Sequence, residues 1–188
     1  MARPAKKSAA NKKPAAQARV KGSVKVKDKS KPAPKKRKPK PIPDTYPQIT
    51  TCLRIGGAHE ALQYYCNVFG GKVRMRLDMP DGRIGHCEIA IGKGLIMVSD
   101  EFPEMNMVGP VTVGQATATI QIYVKDVDDT LKRAVKAGGK ILRPAKDEFY
   151  GDRAALLEDP FGYVWMIQSH IEDVSKAEMK KRLKQAFG

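Results

Sequence analysis

The sequence predicts an α+β fold: two tandem β-α-β-β-β modules, a C-terminal helix and a disordered N-terminal tail. The body repeats itself, since FGGKV at 69–73 matches AGGKI at 137–141. An alternating strand and then a helix-like stretch precede each copy. The helix of such a module covers one face of its sheet only, so the other face must meet a copy or curl around a ligand. We therefore expect a curved mixed sheet around a trough.

The first module begins with the strand ITTCLRI (49–55), followed by AHEALQYYCNVF (58–69). In that second stretch Leu62, Tyr65 and Phe69 form an apolar stripe at helical spacing, which predicts a helix. The strands KVRMRLDM, HCEIAIG and LIMVSD follow, and PDGR forms the turn after the first of them.

The second module begins with ATIQIYV (118–124) and continues with DVDDTLKRAVKA (126–137), a predicted helix that has Asp126 as its N-cap. The strands KILRP, RAALLED and YVWMIQS follow, and the DPFG before the last one predicts a type I turn. Between the modules, 101–115 is rich in Gly, Pro and Met and is predicted to be a linker.

A final helix is predicted at about 175–187, because Ser175 and Glu178 fit a capping box. The modules themselves are expected at about 47–100 and 116–170.

Charge separates the tail from the body. Residues 1–43 carry 16 Lys and Arg and one acid, whereas residues 44–188 carry 19 of each kind. The net charge of +15 therefore belongs to the tail, and the body is neutral. The tail has no aromatic residue and too little apolar surface to offset its ordering entropy. We predict that 1–43 is a disordered basic tail and that 44–188 is one folded domain.

The tail contains the contiguous cations Lys35, Lys36, Arg37 and Lys38. Such runs bind polyanions by counterion release and do not read sequence, which predicts nonspecific nucleic-acid contact. A plain solubilising extension is the alternative. PKKRK also resembles a nuclear import signal, which matters only in a eukaryote.

The sequence also contains evidence on the cellular compartment and on cofactors. No apolar run of the length of a secretory signal or a membrane helix occurs. The odd set Cys52, Cys66 and Cys87 has no CxxC spacing, which indicates reduced thiols in a cytoplasmic protein. No zinc-binding Cys/His spacing or HExxH occurs either. We predict no cofactor and no membrane partner.

Strand alternation predicts which side chains line the trough. His86 and Glu88 share a face at positions i and i+2, about 6–7 Å apart. The carboxylate could make the imidazole a general base, or the pair could hold a metal with a third ligand such as Cys52. A hydrogen-bonded structural pair is the other interpretation. The remaining predicted lining residues are Thr50, Cys52, Arg54, Thr119, Gln121, Tyr123, Val164, Met166 and Gln168.

Arg153, in YGDR, has two interpretations. Its guanidinium could bind an anionic ligand bidentately, or it could hold a loop through a carboxylate.

Several strings together carry a resemblance to a known family: ALQYYCNVFGGKV, MPDGRIGHCEIAIG and YGDRAALLEDPFGYVWMIQSHIEDVS. With the paired modules, they resemble the vicinal oxygen chelate superfamily, which includes glyoxalase I, bleomycin-resistance proteins and extradiol dioxygenases. Residues 47–187 are covered, and Y-G-D-R…D-P-F-G-x-x-W is similar to the phosphonate-operon B-like branch, sometimes labelled a demethylubiquinone methyltransferase.

The resemblance implies four metal-ligand positions, two on each half. They fall on Thr50, Thr119, Met166 and, in the first half, near Met97 or Ser99. Hydroxyls and thioethers are weak ligands for a divalent ion that prefers imidazole or carboxylate. The inherited metal site is therefore expected to be lost.

The leading hypothesis is a homodimeric protein that binds a small organic ligand in the trough and is not an enzyme. The second hypothesis is a metal- or base-dependent glyoxalase-like lyase or isomerase that uses His86 and Glu88. The third is a nucleic-acid-associated protein whose body is a dimerising scaffold.

Overall fold

The computed structural model describes residues 39–188, which form one compact unit. The predictions for residues 1–38, including the basic run Lys35–Lys38, lie outside the described residues. The boundary between tail and domain therefore stays a prediction.

The first module is a four-stranded sheet with one helix, as predicted. The strand order is β1-β4-β3-β2, and β1 runs parallel to β4 while the other pairs are antiparallel. Its elements are β1 (Thr51–Ile55), α1 (Ala58–Phe69), β2 (Lys72–Asp78), β3 (Ile84–Ile91) and β4 (Gly94–Asp100).

The second module repeats this topology with the order β5-β8-β7-β6, and β5 runs parallel to β8. The predicted pair of β-α-β-β-β modules is thus confirmed. After a short connecting helix α2 (Pro110–Val113), the elements are β5 (Thr119–Tyr123), α3 (Val127–Lys136), β6 (Lys140–Asp147), β7 (Asp152–Glu158), β8 (Val164–His170) and, beyond the module, α4 (Lys176–Phe187).

The connection between the modules is more structured than the predicted linker. A 3-10 turn at Pro103–Met105 and the helix α2 both begin with a proline, whose fixed φ suits a first helical position. The Glu101 carboxylate accepts hydrogen bonds from the Gly109 amide at 2.6 Å and the Thr112 hydroxyl at 2.8 Å. One acidic side chain therefore organises a segment that composition alone describes as loop.

Side chains cap the helices where the sequence predicts it. Asp126 accepts a bond from the Asp129 amide at 2.9 Å, and Ser175 accepts one from the Glu178 amide at 3.2 Å. No local residue of this kind caps α1. Instead, Asp100 at the end of β4 accepts a bond from the Ala58 amide at 2.9 Å.

One hydrophobic core is shared by both modules. Tyr65 of α1 packs against Trp165 of β8, with their ring centroids 5.5 Å apart. The buried carboxylate of Asp159 accepts bonds from the Tyr65 hydroxyl and the Trp165 indole, each at 2.8 Å. The DPFG turn therefore joins the second sheet to the helix of the first module.

The packing sets the direction of the two sheets. Because α1 contacts both its own sheet and the helix side of the second sheet, each helix-free face turns away from the other module. The trough surface of one chain thus consists of two separate faces, one on each sheet. No helix in the described residues is long and apolar enough to cross a membrane.

Candidate functional site

A row of side chains crosses the helix-free face of the first sheet. Strand register places Cys52 beside Met97, Met97 beside Glu88, and Glu88 beside Met75. Glu88 is only 2% exposed, although it lies on the face without a helix. A buried carboxylate needs partners, since an unpaired one costs several kcal/mol (roughly) in a protein interior.

Those partners come partly from the segment that precedes β1. The Tyr46 hydroxyl donates to Glu88 Oε1 at 2.6 Å. The Arg74 guanidinium stacks over the Tyr46 ring at 5.4 Å and donates to the Thr45 carbonyl at 3.2 Å. The chain before β1 is therefore held across this face. Tyr46 could not be predicted from the sequence, because no local pattern links residues 42 positions apart.

His86 and Glu88 lie together, as alternation predicts. His86 Nε2 is 3.4 Å from Glu88 Oε1, and the imidazole is about one-third exposed. The Tyr46 hydrogen bond is the main cause that lowers the pKa of Glu88, and His86 and Arg74 add to it. Glu88 is therefore held as a carboxylate that orients His86, and the accessible nitrogen base of the pair is His86.

The helix-free face of the second sheet carries a buried amide. Register places Gln121 beside Met166, and Gln168 between Tyr123 and Ala154. Gln168 is 1% exposed, and among residues 39–188 neither its side-chain oxygen nor its nitrogen has a hydrogen-bond partner. Buried amides are almost always hydrogen-bonded, so this one is an exception that requires an explanation.

A chain of hydrogen bonds borders that amide. The Tyr123 hydroxyl donates to one carboxylate oxygen of Asp152 at 2.8 Å, and His170 Nδ1 lies 2.7 Å from the other. His170 Nε2 lies 2.9 Å from Asp173. The two carboxylates, Asp173 first, raise the pKa of His170. Asp152 and His170 are not among the site residues predicted from the sequence. The string YGDR indicated Arg153 instead.

Arg153 lies on the other side of the second sheet. Its guanidinium pairs bidentately with Asp128 at the start of α3, at 2.7 and 3.0 Å, and with Asp147 of β6 at 2.7 Å. These contacts agree with the second of its two interpretations, a residue that holds segments together through carboxylates. Three of its five N–H donors are thus used by carboxylates, and its role as a ligand-binding residue stays a prediction.

The positions implied to hold a metal all lie at the helix-free faces. Thr50 precedes β1, Thr119 begins β5, and Met166 lies in β8. In the first sheet Met97 faces Glu88, while the Ser99 hydroxyl accepts a bond from Arg54 at 2.7 Å. This donor set does not fit a divalent ion, because thioethers and neutral hydroxyls are poor ligands for it.

Comparison with known proteins extends this picture. Residues 48–167 match the family model of the glyoxalase/bleomycin resistance protein/dioxygenase superfamily. A lactoylglutathione lyase of Neisseria meningitidis is 30% identical over 129 residues, which cover 68% of this chain and 94% of that protein. An uncharacterised Mycobacterium tuberculosis protein is 28% identical over 137 residues, 71% of this chain and 81% of that protein.

Among solved structures, the PhnB protein from Bacillus cereus superposes with a TM-score of 0.54 at 18% identity, over 65% of this chain and 99% of that one. At this identity the likeness shows the fold alone.

Proposed function

Because the chain belongs to the glyoxalase/bleomycin resistance protein/dioxygenase superfamily, we propose that it binds a small organic ligand on the helix-free faces of its sheets, without a divalent metal. The phosphonate-operon B-like branch is the part of the superfamily to which we assign it. The observation that carries the proposal is the buried, unpartnered amide of Gln168. Leaving such a group unsatisfied costs about 1–3 kcal/mol, which a ligand recovers if it displaces the side chains that cover the amide.

The amide indicates the chemistry of the ligand. Gln168 offers an N–H donor and an oxygen acceptor side by side. A carboxamide or a protonated carboxylic acid carries the complementary acceptor and donor in the same spacing. Met166 and Ala154, its neighbours on this face, provide apolar contacts for the rest of the molecule.

Ligand-observed NMR with benzamide tests this proposal. Acetophenone is the matched control ligand, because it keeps the ring and the acceptor but lacks the N–H donor. We expect benzamide to bind about tenfold more tightly, the effect of about one hydrogen bond. In Gln168→Leu this preference should vanish while stability is kept or raised, since the leucine leaves no orphaned polar group. Equal binding of both ligands to the unmodified protein would refute the proposal.

The directions of the faces support a homodimer. Each helix-free face turns away from the other module of its chain, so a ligand enclosed on both sides needs a face from a second copy. We propose that two chains assemble in this way. Light scattering of the eluting protein should give twice the mass of one chain, 20.7 kDa. A monomer at micromolar concentration would rule this assembly out.

Lyase or isomerase activity is the second candidate, and the contact between His86 and Glu88 favours it. The named activity of the Neisseria relative supplies the substrate to test. The assay follows S-lactoylglutathione with and without added Zn²⁺ or Ni²⁺. Turnover that disappears in His86→Ala but survives in the control His59→Ala would support an enzyme. The same turnover in both variants, or none in the unmodified protein, would argue against it.

Metal content separates the ligand-binding candidate from a metal-dependent lyase or isomerase independently of any substrate. We expect elemental analysis of the tag-free protein to find well under one equivalent of Zn, Mn, Ni or Fe, because the matched positions carry Thr and Met. A stoichiometric metal would contradict the ligand-binding proposal, and His86→Ala would then show whether His86 holds it.

For the tail we propose weak, nonspecific nucleic-acid binding, based on the +15 charge of residues 1–43. If roughly five to eight cations reach phosphates, the log–log salt slope should be about −4 to −7. Residues 44–188 alone should not bind the same duplex. Equal binding by both proteins would place the basic surface on the folded domain.

A further inference from the structure

The internal repeat makes two positions of the fold equivalent. Thr51 of β1 pairs with Ile96 of β4, and at the equivalent place Ile120 of β5 pairs with Trp165 of β8. Counting back two residues from Ile96 and Trp165 reaches Gly94 in the first module and Tyr163 in the second. The same repeat makes Tyr123 of β5 the counterpart of Arg54 of β1.

In the second module, Tyr163 forms hydrogen bonds with the edge of β1 that no other described strand pairs with. Its hydroxyl accepts a bond from the Arg54 amide at 2.8 Å and donates to the Arg54 carbonyl at 2.9 Å. In the described part of the chain, β1 pairs with β4 alone, so these two backbone groups face the outer edge of the sheet. One phenol thus satisfies both groups of a strand edge.

The equivalent contact is missing in the first module, because Gly94 has no side chain. The Val124 amide donates a hydrogen bond to the Gln168 carbonyl of β8. Because the backbone groups of successive strand residues point to alternate sides, the amide and carbonyl of Tyr123 point away from β8. Among the described strands β5 pairs with β8 alone. The edge at Tyr123 is therefore free where its counterpart at Arg54 is bonded.

A cleft of about 860 Å³ lies at this place. Gly94 and Ile96 line one side, and the β5 edge with Ile122 and Tyr123 lines the other, while the buried Trp165 contributes only a small part of the lining. The volume lies within the range of roughly 300–1,000 Å³ typical of small-molecule sites. The cleft reaches the helix side of the sheets at Phe69 and Thr130, and it borders the helix-free face of the second sheet at Gln121 and Tyr123.

We propose that this cleft binds a small phenol. The hydroxyl accepts a bond from the Tyr123 amide and donates to the Tyr123 carbonyl, as Tyr163 does at Arg54. The ring lies beside the buried Ile96 and Trp165 and against the partly buried Ile122, whose remaining apolar surface it removes from water. The structure itself supplies the model for this ligand, because the tyrosine side chain of the other module already makes the same contact.

The probe is p-cresol, which is the side chain of tyrosine. Amide NMR of the full-length protein should show saturable shifts at Gly94 and Tyr123. 4-Methylanisole, which cannot donate, and toluene, which lacks the oxygen, should bind at least about tenfold more weakly. No saturable shift, equal affinity for toluene, or shifts confined to the helix-free faces would each overturn the proposal.

Gly94→Tyr tests the same geometry from within the chain. A Cβ at Gly94 would meet nothing closer than the Ile91 carbonyl oxygen at 3.4 Å, so the backbone accepts the change. The new phenol should fill the cleft, raise the melting temperature and abolish p-cresol binding, while the control Gly94→Ala should bind as before. Continued binding by a folded Gly94→Tyr would overturn the assignment. A shift in oligomeric mass caused by Gly94→Tyr alone would do so too, since the cleft would then be an interface between copies.

Tyr163→Ala is a second variant, in case Gly94→Tyr fails to fold. This variant opens a space beside Arg54 that corresponds to the cleft at Tyr123. The protein should therefore bind two molecules of p-cresol per chain, and the stability lost through the substitution should return as p-cresol is added. Apolar cavities of this kind accept small aromatic molecules. Stability that does not respond to p-cresol would count against the proposed match between phenol and strand edge.

Discussion

Replacing Asp159 by alanine should remove one of the buried contacts that join the two modules. The carboxylate is 3% exposed and accepts four hydrogen bonds. Two come from the Phe161 and Tyr163 amides of its own turn, at 2.9 Å each. The other two come from the side chains of Tyr65 and Trp165, at 2.8 Å each.

The magnitude follows from the two side-chain donors. Tyr65 and Trp165 are 0% and 1% exposed, so water cannot replace the lost acceptor. A buried donor without a partner costs about 1–3 kcal/mol. We therefore expect Asp159→Ala to lower the free energy of unfolding by about 4 kcal/mol, a large part of the roughly 5–15 kcal/mol typical of a domain. Asp159→Asn should lose less, because its oxygen still holds the two turn amides.

Urea unfolding provides the measurement, followed by circular dichroism and by the fluorescence of Trp165, the single tryptophan. Asp81→Ala is the matched control. Asp81 also lies in a turn, but its side chain is half exposed and, within residues 39–188, pairs with Arg83 alone. A loss for Asp159→Ala no larger than that for the control would refute the reasoning. So would a double-mutant cycle with Tyr65→Phe that shows no coupling.

Three further predictions concern single residues. Gly151→Ala should cost well over ~2 kcal/mol in urea melts, because φ is +93° and the new Cβ would lie only 2.2 Å from a backbone carbonyl oxygen; Gly82→Ala, with a similar φ but open space around it, should cost only the backbone strain of about 1 kcal/mol. The raised pKa of His170 means that the folded state holds the proton more tightly, so its contribution is complete below about pH 6.5 and is lost as pH rises through the folded pKa. His170→Gln should therefore be less stable than the unmodified protein at pH 5 (about one and a half units below the free value) and should match it in alkali, and a constant difference would contradict this. Tyr46→Phe should raise the pKa of Glu88 in a carboxyl NMR titration, because the lost hydrogen bond is the main cause of its lowering.

Much of the fold could be predicted from local patterns. The stripe in AHEALQYYCNVF gave the bounds of α1, Asp126 gave the start of α3, and the alternation of β5 and β8 placed Gln121 and Met166 on the face without a helix. Each of these predictions depends on residues within one or two turns or strand steps of each other. Such patterns reflect the geometry of a single helix or strand, and this geometry is the same wherever the element packs in the fold.

In the candidate site, only those residue pairs could be predicted that lie on the same strand. The pair His86 and Glu88 came from i, i+2 spacing, but the Tyr46 hydroxyl that binds Glu88 did not. In the same way YGDR indicated Arg153, whereas the structure uses its neighbour Asp152 to join Tyr123 and His170 on the helix-free face. Adjacent strand residues point to opposite faces, so an error of one residue exchanges a site residue for a structural one.

The sequence by itself determined the two modules and the elements within them, and the resemblance implied that Thr50, Thr119 and Met166 occupy the metal-ligand positions. The tertiary structure alone decided how the modules meet, through Asp159 between α1 and β8 and through Tyr163 at the edge of β1. The Tyr163 contact joins residues 109 positions apart, and no periodicity extends over such a distance. The positions of Asp159 and Tyr163 next to their partners depend on how the two modules pack against each other. The same packing leaves the edge of β5 at Tyr123 open.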